Sequence, residues 1–363
     1  MVTKDNTGLR SRTDVMKMDR RGFLAGIAAA GVAGAIRAGA ETPVGEPRPL
    51  KVCVFSDIHY ERNQWTNTEN TSFLERIMAR AERERCDMMI YCGDFMHGVR
   101  KDWQKEYLKL YGSSAIPGYH LLGNHDQDQN DYRETCEAYR MPAGHYSFDK
   151  GGFRFVIADP NYIRLADGKF VHYGNGNYFK PGEGASTTWI PPEEMEWLRA
   201  TIVGSPLPCV VLSHQSFERG RCDPVKNAAE VRAIFSEANA KRSGTVRLVM
   251  NGHLHTEHLR ILDGILYWDV NSANYQWYGK VHDKYPADYV ANHRGAPHTL
   301  GWTSPLSGIL TLWPNGRIRI EGSKAGWLFG VTPKDAGYPL CDSDGRETYP
   351  AIQTADVSFN LPS

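Results

Sequence analysis

Charge of a dominant sign is missing from this sequence: 42 Lys and Arg balance 42 Asp and Glu over 363 residues. The balance removes the global attraction that a nucleic acid or an anionic membrane would exploit, leaving only local patches. Also missing are an apolar run of the roughly 20 residues that a bilayer-spanning helix takes, and any short-period repeat or low-complexity tract between residues 50 and 321. Cysteine is sparse and odd in number, seven in all, with no CxxC pair and no short disulfide framework. Cys53 and Cys92 sit inside apolar runs and read as small buried hydrophobes; spacing pairs none of Cys136, Cys209, Cys222 and Cys341. What is present, 41% hydrophobic and 23% charged residues at a mean hydropathy of −0.48, describes a globular chain, neither disordered nor embedded in a membrane. Its length allows one large domain or two ordinary ones.

The N-terminus departs from this pattern. Arg20 and Arg21 precede the Ala/Gly-rich run from Phe23 to Ile36, which is too short and too weakly apolar for a stable membrane span. Asp19-Arg20-Arg21-Gly22-Phe23-Leu24 resembles the twin-arginine export signal, and Ala38-Gly39-Ala40 reads as an AxA-type cleavage site before Glu41. The resemblance implies a partner, the twin-arginine export machinery, and a periplasmic or extracellular location. Because such substrates typically fold before export, often with metal already inserted, it is also consistent with a metal site assembled in the cytoplasm. An amphipathic or uncleaved N-terminal helix is the competing reading; residues 1–40 are set aside from the fold as a signal peptide.

From Leu50 onward short apolar runs alternate with helix-like stretches, the pattern of sheets layered with helices. Lys51 to Phe55, an amphipathic helix over Phe73 to Arg85, and Met88 to Cys92 make a βαβ unit with parallel strands. A third strand, Tyr119 to Leu122, precedes a helix over Asp131 to Tyr139. A hairpin turns through Asp149 to Gly152. The second half repeats the scheme: strand Cys209 to Leu212, helix Ala228 to Ala240, strand Val246 to Met250, and hairpins around Asp263-Gly264 and Pro314-Asn315-Gly316. Two such halves packed face to face predict an α/β fold, a four-layer α/β/β/α sandwich of two mixed sheets flanked by helices, over residues 50–321. Ile163 to Thr188 and residues 276–306 read as irregular insertions, the former a functional loop or lid, and residues 322–363 as a loosely structured C-terminal tail.

Five clusters of metal-type ligands each follow an apolar strand: Asp57-Ile58-His59, Gly93-Asp94, Gly123-Asn124-His125-Asp126, Ser213-His214 and Gly252-His253-Leu254-His255. Singly each is ordinary turn chemistry. Five in this order are not, because ligands in such sheets gather at the C-terminal ends of strands. Imidazole with carboxylate suits Zn, Fe or Mn better than Ca or Mg. Asp159, Asn161, Asn271 and Ser272 also follow strands and could rim a cleft or simply form turns. Tyr275, Trp277 and Tyr278 could stack on a base or sugar, or pack a loop.

The five clusters together resemble the calcineurin-like metallophosphoesterase superfamily, whose motifs are DxH, GD, GNHD or GNHE, a single His, and GHxH. The resemblance implies a binuclear site of two divalent transition-metal ions, one held by Asp57, His59, Asp94 and His255, the other by Asp94, Asn124, His214 and His253, with Asp94 bridging. It implies hydrolysis of a small phosphate mono- or diester by metal-activated hydroxide, with His125 as general acid and Asp126 beside it to orient and charge the imidazole. Three residues past Asp94 stands His97. Purple acid phosphatases place an iron-ligating Tyr there, so the resemblance runs to other branches; His97 reads as an outer contact, a substrate contact or a solvated loop histidine. A nuclease, or an inactive binding platform on the same fold, is the alternative. Balanced charge and the export signal argue against nucleic acid, and the intact motif set argues against inactivity.

Overall fold

The computed structural model describes residues 48–60, 70–98, 101–220, 222–279, 281, 284–293, 295–339 and 346–359. In chain order its first half runs β1 (Leu50–Phe55), α1 (Asn70–Arg83), β2 (Met88–Tyr91), α2 (Lys101–Tyr111), β3 (Gly118–His120), α3 (Tyr132–Tyr139), β4 (Tyr146–Lys150), β5 (Phe153–Ile157), β6 (Tyr162–Arg164), β7 (Phe170–His172) and β8 (Ser186–Thr187). The second half runs α4 (Pro192–Val203), β9 (Cys209–Leu212), α5 (Ala228–Lys241), β10 (Val246–Asn251), β11 (His258–Leu262), β12 (Ile265–Asp269), β13 (Tyr275–Trp277), α6 (Ala287–Asn292), β14 (Thr299–Gly301), β15 (Gly308–Leu312), β16 (Arg317–Glu321) and β17 (Ala355–Ser358).

Two six-stranded sheets result, ordered β17-β16-β15-β1-β2-β3 and β11-β12-β10-β9-β5-β4. β1, β2 and β3 are mutually parallel, as are β5, β9, β10 and β12, while β15, β4 and β11 join antiparallel, so both sheets are mixed. Successive side chains of a strand point to opposite faces, and β1 shows what each face meets. Val52 and Val54 join Phe155, Val210, Leu212 and Met250 between the sheets, whereas Cys53 and Phe55 pack with Phe73 and Ile77 of α1 and Tyr107 of α2. On the outer face of the second sheet Val156, Val211 and Val249 pack against Leu198 of α4 and Val231 and Phe235 of α5. Strands buried on both faces are apolar throughout, and the expected four layers are present.

Local chemistry sets several boundaries. α3 starts at a capping box in which the Asp131 carboxylate accepts from Glu134 N at 2.8 Å and the Glu134 carboxylate accepts from Asp131 N. The insertion read as irregular is more ordered than expected: β6 pairs with β7 and β8 in a small antiparallel sheet. Likewise β13 pairs with β14 inside the second insertion. The tail also departs from expectation, since β17 pairs with β16 and Val357 packs on the inter-sheet core. Asn271 donates to the carbonyls of Tyr349 and Ala351, tying the tail to the strand ends. These strands are two to four residues long and their partners distant or interrupted, so they carry little periodic signal.

Cys53, Cys86, Cys92, Cys136, Cys209 and Cys222 are free thiols. Cys341 and the signal-like residues 1–40 lie outside the described residues. Among the described residues no helix is long and apolar enough to cross a membrane.

Candidate metal centre

Parallel pairing brings the C-terminal ends of β1, β2 and β3 to one edge of the first sheet and those of β9 and β10 to one edge of the second. The loops that follow bring the predicted ligands together. His59 Nε2 lies 3.1 Å from His255 Nε2, 3.6 Å from Asp94 Oδ2 and 3.8 Å from Asp57 Oδ1; His214 Nε2 lies 3.0 Å from Asp94 Oδ2. Ligand atoms of Asp57, His59 and His255 fall within 4.8 Å of one another, as do those of Asp94, His214 and His253. Asp94 Oδ2 reaches toward both groups.

The backbone is bent hard to achieve this. Asp57, His59, Asp94, His253 and His255 all occupy the left-handed region, with φ of 51°, 46°, 56°, 68° and 51°, a conformation that costs a non-glycine residue about 1–3 kcal/mol and persists only where its surroundings enforce it. Cross-loop bonds supply the enforcement: Asp57 N donates to Gly93 O and His59 N to Asp94 O, each at 3.0 Å, and His253 N donates to the Asp57 carboxylate. The motif glycines are steric necessities. A Cβ on Gly93, whose φ is +92°, would sit 2.3 Å from His214 Nδ1, and one on Gly252 would sit 2.0 Å from Ser56 Oγ.

Backbone carbonyls settle which imidazole nitrogen faces the centre. His214 Nδ1 donates to Cys92 O at 2.8 Å, His255 Nδ1 to Tyr275 O at 2.6 Å and His253 Nε2 to Cys222 O at 2.7 Å. The opposite nitrogen of each is thereby left with a lone pair for a cation, the usual arrangement around metal-binding histidines. Asn124 Oδ1 is buried with no hydrogen-bond partner, which normally costs about 1–3 kcal/mol and which a cation would relieve. The donor set fits a pair of divalent transition ions. Burial drives the His59 imidazole well below its ordinary pKa and that of His253 down to about 4, so both favour the neutral, ligating form. Burial acts the same way on His214 but is outweighed by Asp94, which pushes it up to about 9, so its Nε2 holds a proton at neutral pH that a cation must displace to be ligated. Asp94 in turn is held well below the usual carboxylate range, its burial outweighed by His214 and His125.

His125 opens a short 3-10 turn, His125–Gln127, beside Asn124, with its N–H on Asp94 Oδ1 at 2.8 Å. The expectation that Asp126 orients its ring is corrected here. The Asp126 carboxylate turns inward, accepting from the backbone N–H groups of Asp94, Phe95, Met96 and Gly123 and from the Tyr139 hydroxyl; it anchors the Asp94 loop. Asp128 takes the expected place, its Oδ2 2.9 Å from His125 Nδ1, while its Oδ1 accepts from the Tyr178 hydroxyl at 2.6 Å. Burial would lower the His125 pKa, but Asp94 and Asp128 outweigh it and raise it. Neither Asp128 nor Tyr178 was read from the sequence.

His97 stands against the centre, its Nδ1 3.2 Å from His59 Nδ1 and its ring centroid 4.6 Å from that of His125. Asp159 and Asn161 lie elsewhere: Asp159 pairs with His172 at 2.7 Å and Asn161 donates to Leu122 O. Ser272 supports the site from behind by donating to Asp57 O. A cleft of about 550 Å³ opens over the centre, lined among others by Asn124, His125, Tyr178, Phe179, Asp223 and Trp277.

A four-layer sandwich whose strand ends gather carboxylates, imidazoles and a carboxamide is the architecture of a metal-dependent phosphoesterase. The chain belongs to the calcineurin-like phosphoesterase (Metallophos) family, whose sequence profile matches residues 50–257. It is 24% identical over 298 residues, 64% of this chain and 72% of the other, to a probable inactive purple acid phosphatase 14 of Arabidopsis thaliana. A dimetal phosphatase from Danio rerio has a similar fold, with a TM-score of 0.51 at 15% identity, covering 75% of this chain and 95% of that one. The purple acid phosphatase PPD1 of yellow lupin, Lupinus luteus, aligns at a TM-score of 0.45 and 15% identity over 87% of this chain and 55% of its own.

Proposed function

We propose that this protein is an exported hydrolase of small phosphate mono- or diesters that works with two Mn, Fe or Zn ions. The observation that carries the reading is the convergence of Asp57, His59 and His255 and of Asp94, His214 and His253, with the unpartnered Asn124 oxygen in the same cleft. One ion would be held by Asp57, His59, Asp94 and His255, the other by Asp94, Asn124, His214 and His253. When bound, such a pair neutralises phosphoryl charge and makes hydroxide available at neutral pH. The chain's own part is positional and protolytic. His125, held at Nδ1 by Asp128, keeps a proton for the departing alkoxide. Tyr178 steadies the Asp128 carboxylate from the other side.

His97, in the position where a tyrosinate would stand, supports a place outside the purple, tyrosinate-bearing branch despite the Arabidopsis relative's name. The intact ligand set and His125 favour an active enzyme over a binding platform. The balanced charge, and the lack of Lys or Arg among the described residues lining the cleft, disfavour a nuclease. Export rests on Arg20, Arg21 and Ala38-Gly39-Ala40, and the catalytic domain is assigned from residue 50 through β17, the edge strand of the first sheet.

The test is to purify the chain from Glu41, measure its transition-metal content, and assay phosphate mono- and diesters with Mn, Zn or Fe added. About two ions per chain and hydrolysis that is lost on chelation and restored by metal are expected. Absence of both stoichiometric metal and metal-restored turnover removes the enzyme reading.

A further inference from the structure

The two insertions each deliver one exposed large apolar side chain to the cleft. Residues 160–190 present Phe179 on the short turn Asn177–Phe179, and residues 275–306 open with Trp277 on β13. Both remain exposed, 61% and 38%, and they are two of the six large apolar side chains exposed among the described residues. Large apolar groups left to water side by side with a polar centre mark a place where a ligand covers them. Neither is carried on a slack loop. Tyr178, next to Phe179, stacks on Tyr173 at 4.7 Å and is bonded to Asp128. Beside Trp277, Gln276 donates to Leu254 O and Thr256 Oγ1.

His97 and His125 complete a row of rings between them: centroids are 5.9 Å apart from Trp277 to His97, 4.6 Å from His97 to His125 and 6.2 Å from His125 to Phe179. His125 is the group assigned above to the departing oxygen, so the row borders the half of the substrate attached to that oxygen. Charge points the same way. Asp223 lines the cleft and no Lys or Arg does among the described residues, so among these a second phosphate on the leaving group would meet a carboxylate and no Lys or Arg side chain.

We infer that the leaving alcohol of the substrate carries a planar ring stacked on Phe179 or Trp277, and no further phosphate. This rests on the phosphoesterase reading and narrows it to a class, which either a nucleoside or a simple aryl alcohol would satisfy. The test measures kcat/KM of the metal-loaded chain from Glu41 on benzyl phosphate, cyclohexylmethyl phosphate, adenosine 5′-monophosphate and adenosine 3′,5′-bisphosphate. Benzyl and cyclohexylmethyl alcohols are comparable as leaving groups and differ in planarity, so their ratio reads stacking. Planar esters should exceed the saturated one by about tenfold, a typical effect of one aromatic stack, and the bisphosphate should be poorer than the monophosphate.

Trp277→Ala or Phe179→Ala should bring the planar-to-saturated ratio toward one, whereas Phe329→Ala, an exposed ring that does not line the cleft, should leave it unchanged. A monophosphate preferred over benzyl phosphate identifies the nucleoside source, and parity or the reverse the aryl source. The inference is overturned if the saturated ester is cleaved as well as the planar ones, if both cleft variants keep the ratio, or if the bisphosphate is preferred. Hydrolysis of none of the four would take the phosphoesterase reading down with it, an outcome distinct from hydrolysis without ring preference.

Discussion

Replacing Asp128 with Asn separates the proton-donor role proposed for His125 from the metal centre. The Asp128 carboxylate lies 2.9 Å from His125 Nδ1 and accepts from Gly98 N at 3.0 Å and the Tyr178 hydroxyl at 2.6 Å. Asparagine keeps one acceptor oxygen and the side-chain volume but removes the charge facing the imidazole. A hydrogen bond to a charged group contributes about 1.5–3 kcal/mol, so a step that depends on protonated His125 should slow by about 10- to 100-fold. The dependence is selective, because an alkoxide or phenolate of high basicity needs the proton and a weakly basic one does not. A series of aryl phosphates from phenyl to dinitrophenyl holds the ring constant while leaving-group basicity falls. In D128N the phenyl ester should lose roughly 30-fold and the dinitrophenyl ester less than about threefold, so the plot of log kcat/KM against leaving-group pKa steepens. Bound metal, measured on the same samples, should not change, since Asp128 is outside the ligand set. An equal loss along the whole series, or a loss of metal, would refute the role given to Asp128 and His125.

Asp94→Asn should reduce bound metal and turnover together, because Asp94 Oδ2 reaches toward both ligand groups; metal content by elemental analysis that stays at the wild-type level would exclude a bridging role. Gly93→Ala forces a Cβ to 2.3 Å from His214 Nδ1 at a φ of +92°, so thermal unfolding should show a loss of about 2 kcal/mol or more, and a variant of unchanged stability would show that the turn relaxes freely. Glu194 is buried at the end of β5, accepting from Asp159 N at 2.7 Å, and burial, with Asp159 nearby, pushes its carboxyl up to about 7. The folded chain therefore holds that proton more tightly than the unfolded one: the contribution is complete below about pH 4.5 and is lost as pH rises through about 7, on the order of 3 kcal/mol across the window. Denaturant melts from pH 4.5 to 8 should show this decline in the wild type and a shallower one in Glu194→Gln, whose amide does not titrate; identical slopes would contradict it.

What was legible in the sequence was local. The five ligand clusters were readable because each combines a side chain that binds metal with a backbone that must bend to present it, and the bend writes itself into neighbouring glycines such as Gly93 and Gly252. The layers were readable because strands such as β1 and β10 are buried on both faces and so are apolar throughout. Asp126 shows how adjacency misleads. Consecutive residues on a helical turn point in different directions, so the neighbour of His125 faces inward to the Asp94 loop, while the residue three positions on shares its face. That period makes Asp128 accessible in principle from Gly123-Asn124-His125-Asp126-Gln127-Asp128 once the segment after β3 is known to turn as a helix. Tyr178, Phe179 and β17 had no such route. Tyr178 meets Asp128 across 50 residues, β17 meets β16 from beyond residue 350, and β6, β7 and β8 are two or three residues each. In this fold the chemistry is carried by short motifs, each tied to its own strand end, while the walls that select the substrate are assembled from segments whose partners are far away in the chain. The candidate metal centre and the walls of its cleft are thus written at different ranges of the same sequence, and only the first is legible without a structure.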